Sequence, residues 1–210
     1  MTKILITVFI LFVLFNVSAH GMGNNKVELT EKQVRVLQSL NLNENKPSND
    51  RENIKTIRLK VSTLKDNQGQ TYLGAIVSRA ELSVYLIQLE ELLGEDFQQY
   101  RAFQAARDHQ LFHMTLISPP EYQLADKALI EKFLASDITG DLANQVNINL
   151  LGLGTVERDD NKTYFVVAQS ADGQLIRQRF LLKSKGFHIT LGFKPSDIYS
   201  VTKDSTTLIN

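Results

Sequence analysis

Two five-residue stretches of this 210-residue chain repeat one pattern: Phe112-His113-Met114-Thr115-Leu116 and Phe187-His188-Ile189-Thr190-Leu191, with the histidines 188 − 113 = 75 positions apart. A lone His-x-Ser/Thr is a weak signal, since a chain with four histidines is expected to hold about half of one by chance. Phe before and Leu after in both copies make coincidence a poor account. The spacing has a physical reason. On a strand, residues i and i+2 project from one face, so His113 and Thr115 point together while Met114 and Leu116 point the other way. His188 and Thr190 repeat the arrangement. Two imidazoles near pH 7 can divide general-base and general-acid work between them, each contributing ~10²–10⁴ in rate. Two hydroxyls beside them can donate to the oxygens of a phosphate as negative charge grows there. This chemistry needs no metal.

Other residues could join such a site. Arg177 can contact a substrate phosphate, although Arg177, Arg179, Lys183 and Lys185 together also read as a solvated basic face. Tyr72 and Phe193 can stack a base or serve as core aromatics. His109 and His113 are spaced i, i+4 like half a zinc helix, but Gln110 stands where H-E-x-x-H has its glutamate and residues 112–117 read as strand, so a metal site is not expected. Glu121, just after Pro119-Pro120, suits the start of a helix.

The elements that must position these residues are legible in the hydrophobic pattern. Ile57, Leu59 and Val61 alternate with polar residues as in a half-wet strand, and Asp66-Asn67-Gln68-Gly69 turns the chain into a strand over 72–77. Ser78-Arg79-Ala80-Glu81 fits a capping box ahead of a helix carrying Leu82, Tyr85, Leu86, Leu89 and Leu93, with Gly94 at its end. A buried strand is predicted over 112–117, a helix over 125–134, and strands over 146–156 and 164–169. Ala171-Asp172-Gly173 reads as a turn, 175–182 fits helix or strand equally, and 187–193 is a last strand. This interleaving predicts an α+β domain with two lobes, each sheet covered by helices on one face.

Composition narrows the function further. Twenty-three basic residues balance 23 acidic ones, which argues against a non-specific grip on duplex nucleic acid or on a membrane surface. Lys3, the apolar run 4–15 and the small residues around Ala19 resemble a secretory signal, 1–19, too short to span a bilayer. Export to a secreted or periplasmic location follows as the expectation, with no stable membrane insertion once the signal is removed. With no cysteine, the exported chain would rely on its core alone. Residues 20–54 read as a short helix around Val34, Leu37 and Leu40 followed by an Asn-rich linker, and 55–210 as the working domain.

The paired F-H-x-T-L segments resemble those of the two-histidine (2H) phosphoesterase superfamily, and Gly186-Phe187-His188-Ile189-Thr190-Leu191-Gly192-Phe193 with upstream Arg177 is similar to its Swiss army knife, RNA-repair-like branch. The likeness runs over 72–193. Leu181 and Gly186 depart from the pattern, which leads one to expect a glycine and an acidic residue there. The resemblance implies a bilobal fold of two antiparallel sheets with helices outside and a central cleft. It implies His113 and His188 as the acid–base pair and Thr115 and Thr190 as phosphate binders. The implied activity is cofactor-free opening of a 2′,3′-cyclic phosphate on a small phosphodiester or an RNA 3′ end, by a monomer. The competing readings are a binding module that holds the same ligands without turnover, and an extracytoplasmic interaction protein.

Overall fold

The computed structural model of the protein describes residues 54–135, 144–199 and 201–209. The signal-sequence, short-helix and linker expectations for 1–53 lie outside these residues. Six strands form the frame: β1 (Lys55–Lys65), β2 (Thr71–Val77), β3 (Phe112–Ile117), β4 (Gln145–Arg158), β5 (Asn161–Gln169) and β6 (Phe187–Lys194). Between β2 and β3 run α1 (Ser83–Leu93), a single 3-10 turn (Gly94–Asp96) and α2 (Phe97–Arg107). Two helices, α3 (Pro119–Leu124) and α4 (Lys127–Ala135), separate β3 from β4, and α5 (Ala171–Arg179) links β5 to β6.

The strands close into one antiparallel barrel in the order β1-β2-β3-β6-β5-β4, which corrects the expectation of two separate sheets. Two contacts make the difference. Met114 of β3 pairs with Ile189 of β6, joining the halves along the strands that carry the twin motifs. On the other side β1 divides its pairing, with 55–60 against β4 and 61–65 against β2. Alternation in a sequence reports which face of a strand is buried but not which strand lies beside it, so closure was not legible.

Helices pack on the barrel face opposite the His and Thr side chains. At α5, a Cβ on Gly173 would lie 2.9 Å from the Phe187 ring and 3.1 Å from Leu116, so glycine is what lets this helix sit against β3 and β6. At α2, Gly192 of β6 comes equally close to Tyr100, whose ring meets Tyr164 edge-on at 5.4 Å. Phe97, Tyr100 and Gln104 form the buried stripe of α2, and the Gln104 amide donates to Asp108 and to the Leu111 carbonyl, both at 2.8 Å.

Three local expectations are revised. The helix after β2 starts at Ser83 rather than at the proposed box; the Ser78 Oγ instead accepts from the Glu81 amide in the preceding turn. Ala171-Asp172-Gly173 is the first turn of α5, because the Ser170 Oγ caps it by accepting from the Gly173 amide at 2.9 Å. The ambiguous stretch 175–182 is helical to Arg179 and then turns through Leu181, at φ 57° and 95% exposed.

Candidate active site

The Met114–Ile189 pairing fixes the site's geometry. One step to either side in an antiparallel ladder sets His113 opposite Thr190 and Thr115 opposite His188. The two histidines are therefore diagonal neighbours, with Cα atoms about 7–8 Å apart. All four side chains rise from one face while Phe112, Met114, Leu116, Phe187 and Ile189 are buried on the other. Thr190 is buried; His113, Thr115 and His188 are half-buried. None of the four side chains has a hydrogen-bond partner among the described residues. Four free polar groups on one patch of sheet are available to a ligand.

Neighbours on this face bring the electrostatics. The Tyr72 ring lies 5.5 Å from that of His113, and Phe165 meets His188 nearly edge-on at 5.6 Å. Beyond β6 the chain returns under the site. Buried Asp197 accepts from the Thr163 hydroxyl and from the Lys203 ammonium, both at 2.9 Å, and is also ion-paired with Arg107 from the end of α2. Lys203 is itself buried, with its ammonium 5.5 Å from the Phe165 ring centre. Burial and the neighbouring Lys203 cation push the His188 imidazole down to about 3. His113 is also lowered by burial, but Asp108 and Asp197 oppose that change. Both rings are consequently neutral at pH 7.

Arg107, Asp197 and Lys203 were missed by sequence reasoning. Arg107 ends a helix that was not anticipated, and the other two lie past the last strand among turn-forming residues, where no periodicity marks them. The residues singled out beforehand fall in different places. Tyr72 is a buried wall beside His113, and Phe193 is buried beneath the Arg107 guanidinium at 4.8 Å, so neither offers an open stacking face.

Arg177 is on the helix side, 2% exposed, with donors committed to the carbonyls of Lys183 (2.8 Å) and Leu116 (2.7 Å) and to both oxygens of Glu121 (3.0 and 2.7 Å). Four of its five N–H groups are thus occupied, and its role is to tie α5 to the end of β3. Glu121 does open a helix, as expected, accepting from the Ser118 amide and hydroxyl. His109 sits in a turn at φ 52° while His113 is on a strand, so the two do not share a helix face. Among the described residues no group of three or more His, Asp or Glu is placed to hold a metal ion.

Gly186, where an acidic residue was expected, is packed closely against the returning chain. A Cβ there would lie 3.1 Å from the Lys203 carbonyl oxygen and 3.1 Å from the Asp204 Cβ, tighter than ordinary contact, so a side chain at 186 requires the segment carrying Lys203 to yield slightly.

Two half-sites, each a histidine and a threonine on one strand, meeting across a shared ladder define a class of enzyme. The family model of the Swiss Army Knife, 2H phosphoesterase domain (2H-SAK) matches residues 81–199, more than half of the chain. The chain belongs to the 2H phosphoesterase superfamily, and its general activity is that of a phosphoesterase. Comparison with curated proteins and with solved structures returns no match.

Proposed function

We propose that the protein hydrolyses 2′,3′-cyclic phosphates of nucleotides or RNA ends through His113 and His188, with Thr115 and Thr190 holding the phosphate. The observation that carries this reading is the diagonal placement of two unpartnered imidazoles, each facing the other half's threonine across the β3–β6 pairing. His188, kept neutral by burial and by Lys203, takes the proton of the attacking water. The new P–O bond forms as the bond to one ribose oxygen breaks. His113, nearer Asp108, accepts a proton more readily once an anionic substrate is bound, and delivers it to that departing oxygen. The threonine hydroxyls donate to the two remaining phosphoryl oxygens, where charge accumulates. The product is a phosphate monoester on one ribose hydroxyl.

The test is turnover of 2′,3′-cyclic mononucleotides and of oligoribonucleotides ending in a cyclic phosphate. His113→Ala and His188→Ala should each lower kcat by ~10²–10⁴ with the far-UV circular dichroism unchanged. EDTA should leave the rate as it was. Full activity in both histidine variants refutes the mechanism, and chelator-sensitive turnover refutes its independence of metal.

A further inference from the structure

Four charges of alternating sign are joined in a chain beside the site: Asp108, Arg107, Asp197 and Lys203. The Arg107 guanidinium grips Asp108 through two hydrogen bonds of 2.7 Å, from Nε and Nη2, and its Nη1 donates to Asp197, which accepts from the Lys203 ammonium at 2.9 Å. All four side chains are largely withdrawn from solvent, Asp197 and Lys203 to 3% exposure. The formal charges cancel. Burial of four ionised groups depends on that balance, since a single buried charge left without its partner is costly.

The two ends of the chain are anchored to different motif strands. Asp108 is tied to the start of β3, because the Gln104 amide that donates to it also donates to the Leu111 carbonyl, two residues before His113. Lys203 is tied to β6 and β5. Its backbone carbonyl packs against Gly186, two residues before His188, and its ammonium lies by the Phe165 ring, which itself meets His188 nearly edge-on. In the middle, Asp197 is held by the Thr163 hydroxyl and by the Ile198 amide. Asp108 is the strongest charge acting on His113, with Arg107 and Asp197 behind it. Lys203 is the strongest acting on His188, followed by Asp197, Lys185 and His113.

We propose that Asp108, Arg107, Asp197 and Lys203 act as one set of positioning residues, an oriented charge ladder whose acidic end makes His113 the proton donor and whose basic end makes His188 the proton acceptor. Arg107 and Asp197 are the rungs that hold the two ends apart. The proposal rests on the acid–base reading of the histidines and adds a fixed framework that stops the rings of two matching pentads from exchanging roles.

Titration of the imidazoles by NMR in the substrate-free protein tests it, with resonances assigned from His113→Ala and His188→Ala. The double variant Asp197→Asn/Lys203→Met removes an anion and a cation together, so no buried charge is stranded. His188, relieved of its stronger neighbour, should titrate about half a pH unit higher, and His113, deprived of Asp197, about half a unit lower. With His188 near 3 in the intact protein, its protonated share at pH 4 then goes from about a tenth to about a quarter. A ladder that served packing alone would admit water when loosened and raise both rings together. Rings that stay put or move the same way therefore overturn the proposal. Asp108→Asn should lower His113 and leave His188 in place; no shift, or a shift of His188 alone, also overturns it, and this variant decides by itself if the double one does not fold. Turnover is scored separately. The expected shifts without hydrolysis keep the ladder and refute the acid–base reading, whereas hydrolysis without the shifts does the reverse.

Discussion

Glu121→Gln is the substitution whose consequences the structure fixes most closely. The variant keeps the size of the side chain and removes the charge that compensates Arg177, a guanidinium only 2% exposed. Burial by itself would raise the Glu121 carboxyl, but hydrogen bonds from Arg177 and Ser118 outweigh it and hold the group at about 2 instead of 4.5. A displacement of 2.5 pH units corresponds to about 3.4 kcal/mol, reduced to about 2–3 kcal/mol because 28% of the Glu121 side chain remains in contact with solvent. Breaking a buried pair from one side falls in a similar range, ~3–5 kcal/mol.

The contribution has a definite pH dependence. The folded-state value is depressed, so the stabilisation is complete above 4.5 and is lost as pH falls toward 2. Between pH 7 and pH 3 the gap between the native protein and Glu121→Gln should narrow by about 2 kcal/mol. Urea unfolding followed by far-UV circular dichroism at the two pH values measures it. A gap under 1 kcal/mol at pH 7, or one equally wide at pH 3, would refute the account of Arg177 as a structural cation.

Two further predictions follow from local features. Leu181 holds φ 57° with 95% of its surface exposed, so Leu181→Gly relieves left-handed strain without losing packing. After the entropy cost of glycine, a gain of about 0.5–1 kcal/mol is expected in thermal or urea unfolding; destabilisation would contradict it. Burial lowers the Lys185 ammonium to about 8, with Glu121 opposing, so the cation is present at pH 7 and lost as pH rises past that value. The unfolded chain holds this proton to higher pH, so the free energy of urea unfolding should gain from Lys185 between pH 8 and 10 in the intact protein, and that gain should be missing in Lys185→Gln.

The face of each strand was legible in the sequence because one side of it is wet, and the alternation around Ile57, Leu59 and Val61 records that directly. The twin pentads were legible for the same reason, since Phe112, Met114 and Leu116 are buried while His113 and Thr115 are not fully covered. What escaped was pairing and return. Nothing in the order of residues says that Met114 meets Ile189, which turns two expected sheets into one barrel. The helix Phe97–Arg107 escaped because its buried stripe includes Gln104, a polar residue satisfied only by folded partners. Arg177 looked like a substrate ligand because its carboxylate partner lies 177 − 121 = 56 residues away, beyond any local pattern. Asp197 and Lys203 carried no signal, since the pairing of Asp197 with both Arg107 and Lys203 exists only once the chain has come back beneath β6.

The crosswise arrangement of the two motifs has a consequence for how such an enzyme could have arisen. Because each imidazole faces a hydroxyl contributed by the other strand, neither three-stranded portion contains a complete reaction centre. An ancestral portion on its own could have reached the same chemistry by laying its motif strand antiparallel against that of an identical copy, on a local dyad. Fusion of two such copies into one polypeptide would then free the two sides to diverge, one acquiring a more basic surrounding and the other a more acidic one, so that chemically equal rings come to differ in how readily they take a proton.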